Sequence, residues 1–265
     1  MNRALFVRSV KSIAKLWLVF TAVLSMYIVM ITMMYSPEMN ESLNILVESM
    51  GGLMGMFGMH PGAITLSSFL VNYLYGMLLL IFPLVFCILA SNKLMARRVD
   101  SGSMAYLLAS PNGRVKVAVT QAAALLFGVL LMVVYCTALA LISGAVMFPG
   151  DLEPGPWLGL NAGLLCLHIC LAGFCFFASC LFNESRHAVA LGAGVPVLCY
   201  LLQMLANMGE KFENLKYASV FTLFDPNGLL AGESGAITGA VVLLVLGVGF
   251  FTVGITAFNK RDLPL

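Results

Sequence analysis

The chain has 265 residues, 61% of them hydrophobic and only 10% charged. A soluble domain is about half apolar and about a quarter charged, so a water-facing globule is excluded, and the scarcity of charge equally excludes a disordered chain. With 14 basic and 12 acidic side chains and a net charge of +2 there is no basic surface for nucleic acid, which leaves an all-α polytopic membrane protein.

Residues 3–17 open the chain with an amphipathic pattern. At 100° per residue Arg3, Arg8, Lys11 and Lys15 share one arc, and Leu5, Phe6, Val10, Ile13, Leu16 and Trp17 share the opposite one. The expectation is an interfacial helix over 1–15, lying in the inner face of the bilayer with its basic side towards anionic headgroups. Six apolar stretches follow, at about 16–35, 68–90, 117–147, 157–182, 188–208 and 236–258, and none contains Asp, Glu, Lys or Arg. Each reaches the roughly 20 residues that a helix needs to cross the hydrocarbon core. Excluding charge from them is what lipid demands, since a mid-membrane charge costs at least about 2.5 kcal/mol. The first stretch is too long for a signal-peptide core and no small-residue cleavage site follows it, so it reads as a retained span.

Between the first two spans lies a long loop, 36–67. Glu41–Met50 is expected to form a short helix, followed by a flexible Gly- and Met-rich run to Gly62 with a Gly51-x-x-x-Gly55 spacing. The 91–116 loop is the most informative. After Arg97 and Arg98, Asp100 or Ser101 is placed to cap a helix start, and Met104, Leu107 and Leu108 recur at helical spacing before Pro111-Asn112-Gly113 ends it. This reads as a short cytoplasmic helix lying across a hairpin of spans, whose apolar stripe needs a groove on another protein, or else lies back on the bilayer.

The third stretch would be about 46 Å long as a helix, so Thr120 and Gln121 are expected to extend it beyond the hydrocarbon. Gly159-x-x-x-Gly163 and Gly235-x-x-x-Gly239 are candidate close-packing sites for the fourth and sixth spans. The 209–235 connection is too apolar for an ordinary loop. Phe212, Tyr217, Phe221 and Phe224 before the Asp225-Pro226-Asn227-Gly228 turn suggest a re-entrant hairpin at the outer surface. No soluble domain boundary interrupts 1–265, which reads as a single transmembrane domain.

Orientation follows from the connections. The N-terminal segment, the 91–116 and 183–187 loops and the C-terminal segment together carry twelve Lys and Arg, while the opposite side has only Lys211 and Lys216. The positive-inside rule then places both ends of the chain in the cytoplasm, and a cell (inner or plasma) membrane is expected.

Other chemistry finds little support. No G-x-x-x-x-G-K-[ST] phosphate cradle exists, and no span holds the carboxylate or lysine that ion coupling requires. Nothing resembling G-x-S-x-G surrounds a serine. In Cys166-x-His168-x-Cys170 the histidine points about 160° away from both cysteines, so no metal site forms and His168 reads as a hydrogen-bonded core residue. The seven cysteines all fall within spans and imply no disulfides. Asn72, Tyr75, Asn161 and Gln203 are polar groups within spans that either bridge helices or line a substrate path. No catalytic residue and no cofactor of the chain's own is expected.

The segment Arg97 to Ala118, R-R-x-D-x-G-x-x-x-x-L-L-A-S-P-x-x-R-x-x-x-A, resembles the stretch after the second span of type-2 ABC transporter permeases. The ending Phe258-Asn259-Lys260-Arg261-Asp262-Leu263 is similar to that family's aromatic-x-Arg-Arg/Lys-Asp-Leu close. Ser103-Met104 departs from the commoner Thr-Leu. The resemblance implies a type-V exporter fold, pairing with a second permease subunit as a homo- or heterodimer, and ABC ATPase subunits that bind ATP and Mg. Asp100, Met104, Leu107, Leu108 and Pro111 would form the ATPase-coupling helix, and residues 1–15 a connecting helix touching the same ATPase. A subunit acting on a membrane-bound protein or metal-handling partner is the alternative within that class. A non-transporting scaffold or an intramembrane enzyme is the alternative outside it.

Overall fold

Because lipid offers no hydrogen bonds, each apolar stretch must satisfy its own backbone, and each forms a helix. A computed structural model describes residues 2–36, 45–57, 59, 65–108 and 113–261. Six of its helices are long and apolar enough to cross a membrane: α1 Arg3–Met34, α2 Leu66–Asp100, α3 Arg114–Met147, α4 Pro154–Leu181, α5 Ser185–Ala206 and α6 Ser234–Lys260. Among the described residues there is no strand. The chain is a six-helix, multi-pass membrane protein.

One expectation about the first segment changes. The helix does not break between an interfacial piece over 1–15 and a span from 16. It runs uninterrupted from Arg3, with Asn2 Oδ1 accepting from the Ala4 and Leu5 amides as its N-cap. Its basic residues Arg3, Arg8, Lys11 and Lys15 stay exposed, while Leu5, Ser9 and Ile13 are buried against the bundle. The amphipathic pattern therefore reflects one helix extended past the apolar core, not a separate element. Of the expected 41–50 helix, residues 45–49 are helical; positions 37–44 lie outside the described residues. A further helix, Gly51–Met56, sits on the end of α5, where a Cβ on Gly52 or Gly55 would lie 2.6 Å from a carbonyl of Met208 or Asn207.

Successive helices alternate in direction, so helices two apart in the chain run parallel, and these pack most closely. α1 runs parallel to α3: the Asn2 amide donates to Thr120 Oγ1 at one end, and the Thr32 and Ser143 hydroxyls meet at the other. Phe6 meets Phe127, and Trp17 meets Tyr135, edge to face in between. α2 and α6 both run parallel to α4. α4 is the central helix, with Trp157, Leu160, Leu164, Leu167 and Phe176 almost wholly buried.

The seam between α4 and α6 lies deeper than the sequence spacings indicate. A Cβ on Gly173 would lie 2.6 Å from the Gly247 carbonyl oxygen, one on Gly247 would lie 2.9 Å from the Cys170 nitrogen, and one on Gly254 would lie 3.1 Å from the Phe177 Cα. Gly163 and Gly239 instead receive Leu229 and the Leu223 carbonyl from the α5–α6 connection, and Gly235 meets nothing. The expected G-x-x-x-G sites thus seat that connection rather than a neighbouring span.

The connection itself folds back along α5. Two 3₁₀ pieces, Glu210–Ala218 and Val220–Leu223, precede a short helix at Pro226–Ala231. The Ser219 hydroxyl donates to the Cys199 carbonyl at 2.8 Å, seven residues before α5 ends, and Phe221 packs edge to face on Tyr200. Asp225 caps the last piece through the amides of Asn227 and Gly228.

α2 and α5 each carry an internal proline, and α4 answers both. Pro83 contributes no N–H to the carbonyl four residues back, Leu79, and Pro196 contributes none to Gly192. His168 Nε2 donates to the Leu79 carbonyl at 2.8 Å, and Cys175 Sγ donates to the Gly192 carbonyl at 3.3 Å. His168 is fully buried. It is the hydrogen-bonded core residue expected, with its partner now identified.

Candidate functional site

The end of the bundle that carries the basic residues is where the chain's distinctive loop is built. α2 continues about 15 Å beyond Ala90, the end of its apolar run, if its ten further residues rise as a helix. A break at the buried Met95 divides off a last turn, Ala96–Asp100. Gly102 then takes φ +69, a left-handed conformation that ends this turn without a Cβ penalty, and the chain re-enters a helix at Ser103–Leu108. Ser103 Oγ donates to the Arg98 carbonyl at 3.2 Å, satisfying a group that the helix end leaves open.

Asp100 does not cap the Ser103 helix. It closes the preceding turn, and its Oδ2 accepts from the Ser185 amide of α5 at 3.4 Å. The Ser185 hydroxyl donates to Asn92 Oδ1 at 2.7 Å. Glu184, at the N-cap position of α5, makes no cap hydrogen bond and pairs instead with Arg186 and His187. A carboxylate reaching across from α2 thus supplies the negative charge that a helix N-terminus favours. Removing it in Asp100→Ala should lower stability by about 0.5–2 kcal/mol, the usual range for a lost cap. Asp100→Asn, which keeps an acceptor oxygen, should restore most of the loss in the melting of purified protein.

The short helix also presents the opposite face from the one expected. Met104 is 1% exposed, and Leu107 and Leu108 pack half-buried against the same core. Tyr106 projects outward at 86% exposure. The periodic apolar stripe therefore roots the helix in its own bundle, and the free face is centred on Tyr106. Pro111 lies outside the described residues.

Around this helix the end of the bundle is laced together. Lys93 Nζ donates to the Ser12 carbonyl at 2.6 Å, joining α2 to α1. Arg114 donates to the Arg261 carbonyl at 2.8 Å, joining α3 to the end of α6, and the Arg261 guanidinium donates to the Cys180 carbonyl of α4 at 2.6 Å. Burial lowers the Arg261 pKa from its ordinary value, an effect the neighbouring Cys180 partly offsets. With the Asn2–Thr120 and Asp100–Ser185 bonds these ties form a belt through all six helices. Sequence reasoning missed Asn92, Lys93, Ser12 and Ser185 as members, because nothing in their spacing marks a tertiary partner. Arg261 fell in the closing motif but without a stated role.

The polar residues within spans divide among separate crevices rather than lining one path. Tyr75, 1% exposed, donates to Asn161 Oδ1 at 2.9 Å, and Asn161 Nδ2 donates to the Trp157 carbonyl. Tyr75 and Gln203 share a cavity of about 270 Å³ at the acidic end, with Tyr200, Asn207, Thr222 and Asp225. This cavity adjoins the π-helical stretch Val71–Leu78, a distortion frequent at functional sites. Gln203 accepts from Thr222 at 2.6 Å, fixing the α5–α6 connection over it. Asn161 also faces a second crevice, between α3 and α4, and Asn72 a third, between α1 and α2.

Fold and site define a six-helix membrane protein with a belted basic end and a short exposed helix upon it. The family model described as protein of unknown function (DUF2705) matches residues 59–264, and the chain belongs to that family. No curated protein matches the chain.

Proposed function

We propose that this chain is the permease subunit of an ATP-driven ABC transporter, most simply an exporter working by alternating access with separate ATPase subunits. One observation carries the reading. The Ser103–Leu108 helix is rooted by Met104, tied through Asp100 to the start of α5, and free on the Tyr106 face. A protein that docked on Tyr106 would move not one loop but a belt reaching all six helices. That is the mechanical requirement for coupling a remote chemical step to spans that rock about one another.

Supporting it is the resemblance of Arg97–Ala118 and of the closing motif to type-2 ABC permeases; with no phosphate-cradle motif in this sequence, ATP and Mg would be bound by a partner subunit. By the positive-inside rule the distribution of Lys and Arg favours a cytoplasmic basic end, where such an ATPase would reside. A second permease subunit would complete the translocation unit. The α5–α6 connection, folded back about 10 Å along α5 by the rise of seven helical residues, reads as a shallow re-entrant hairpin at the outer surface.

The chain extracted from its own membrane in mild detergent should retain a nucleotide-hydrolysing ABC subunit. Tyr106→Asp should release that subunit while leaving insertion and melting unchanged, and Met104→Asp should lose both docking and stability. Retention of the ATPase by Tyr106→Asp would reject the docking face, and no ATPase on the parent protein would reject the whole reading.

A further inference from the structure

A cleft of about 400 Å³ opens between α1 and the end of α2, lined by Arg8, Ser12, Arg98, Ser103, Tyr106 and Leu107. Five of these six are cationic or hydroxyl-bearing, and none is acidic. Nearby, Lys93 Nζ donates to the carbonyl of Ser12, one of the lining residues, at 2.6 Å. Among the described residues no carboxylate pairs with Arg8, Lys93 or Arg98. The ion pairs there belong to Glu184, and Asp100 is engaged at Ser185. Arg98, beyond the apolar run of α2, has its cation disfavoured first by burial and then by the charge of Arg8. Like charges drawn together in a half-buried cleft leave a site that an external anion would complete.

Depth and surroundings indicate which anion. The inner mouth of the cleft, at Ser12, lies four residues before Leu16, about 6 Å outside the hydrocarbon and so within the headgroup layer, which is about 5–7 Å thick in each leaflet. Arg8 and Arg98, each eight residues beyond the apolar runs and about 12 Å out, line its aqueous side. Above the cleft, Val19 and Met26 fall within about 20° of Arg8 around α1, and they are 62% and 59% exposed. A headgroup below and an open apolar stripe above is the outline of a phospholipid, not of a free ion. A planar guanidinium can hold two phosphate oxygens at once, and two of them, Arg8 and Arg98, line the cleft.

We infer that this cleft is a binding site for the phosphate of an anionic phospholipid headgroup, seated between α1 and the Ser103–Leu108 helix. An occupant there bridges the two elements and sets the position of the short helix. The inference requires only that the chain sits in a membrane and is independent of the transporter reading.

The test is native mass spectrometry and melting of the purified full-length chain, titrated with phosphatidylglycerol, with phosphatidylcholine or with inorganic phosphate. Phosphatidylglycerol should bind at least tenfold more tightly than phosphatidylcholine and raise the melting temperature, and inorganic phosphate should do neither at equal concentration. Arg8→Gln with Arg98→Gln should weaken phosphatidylglycerol roughly thirty-fold, a factor of about five for each cation removed. The same variant, stripped of lipid, should melt no lower than the parent, because it relieves a repulsion. Arg3→Gln with Lys260→Gln, which removes equal charge from exposed positions outside the cleft and off the Arg8 stripe, should change binding less than threefold. Equal losses in both double variants, equal binding of phosphatidylcholine, or inorganic phosphate matching the lipid would each overturn the assignment.

Discussion

Gly247→Leu should prevent recovery of a monodisperse protein from the membrane, whereas Gly249→Leu, two residues away on the same helix, should be recovered normally. The contrast follows from geometry alone. A Cβ at position 247 would stand 2.9 Å from the Cys170 nitrogen, the Ile169 carbonyl carbon and Ile169 Cγ2, while one at 249 meets nothing within 4 Å. Two of the three obstructing atoms are backbone and cannot rotate aside, so α4 and α6 must separate along the seam. That separation would open the contacts of Phe174 with Phe250 and of Phe176 with Phe251. In lipid no hydrophobic force pushes helices together, and van der Waals contact at small residues supplies most of the attraction. The cost should therefore exceed the about 1–3 kcal/mol typical of an overpacked core. Size-exclusion profiles of the two variants measure it, and a well-behaved Gly247→Leu protein would show that the seam is not structural.

His168→Ala should destabilise the protein by about 1–3 kcal/mol for the stranded carbonyl alone, and much of that loss should vanish when Pro83 is also replaced by alanine. Pro83 removes the amide that would bond the Leu79 carbonyl, and His168 Nε2 stands in for it. Alanine at 83 restores an N–H within the helix, so the histidine becomes dispensable to that carbonyl. A double-mutant cycle read by thermal or denaturant unfolding should give a coupling of at least about 1 kcal/mol, within the range for residues sharing one partner. Additive costs would mean that His168 acts by filling space only.

Both predictions concern features that the sequence marks without explaining. Pro83 and Pro196 stand in plain view inside apolar runs, and each signals an orphaned carbonyl. Nothing in the chain says that the donors come from His168 and Cys175 on a third helix. The glycine spacings were visible too, but Gly163 and Gly239 proved to seat the α5–α6 connection, while Gly173, Gly247 and Gly254 form the span-to-span seam. The short helix after α2 was legible in existence and place. Its orientation was not, because Met104, Leu107 and Leu108 make an apolar stripe that could equally meet a partner or the chain's own core. Asp100 was picked out as a helix cap and is one, for α5 rather than for its own neighbour.

The sequence by itself determined the membrane environment, the six spans and the charge difference between the two ends of the bundle. Those properties depend on the solvent, since hydrocarbon rejects charge and unsatisfied backbone wherever they occur along the chain. Only the tertiary structure decided which faces meet, that the basic end is belted, that Tyr106 rather than Leu107 is free, and that Arg8 and Arg98 share a cleft. The physical reason is that a span is surrounded by apolar matter on every side, lipid or protein. Hydropathy therefore carries no contrast between inside and outside, and the choice falls to glycines, prolines and a few hydrogen bonds whose partners lie far away in sequence.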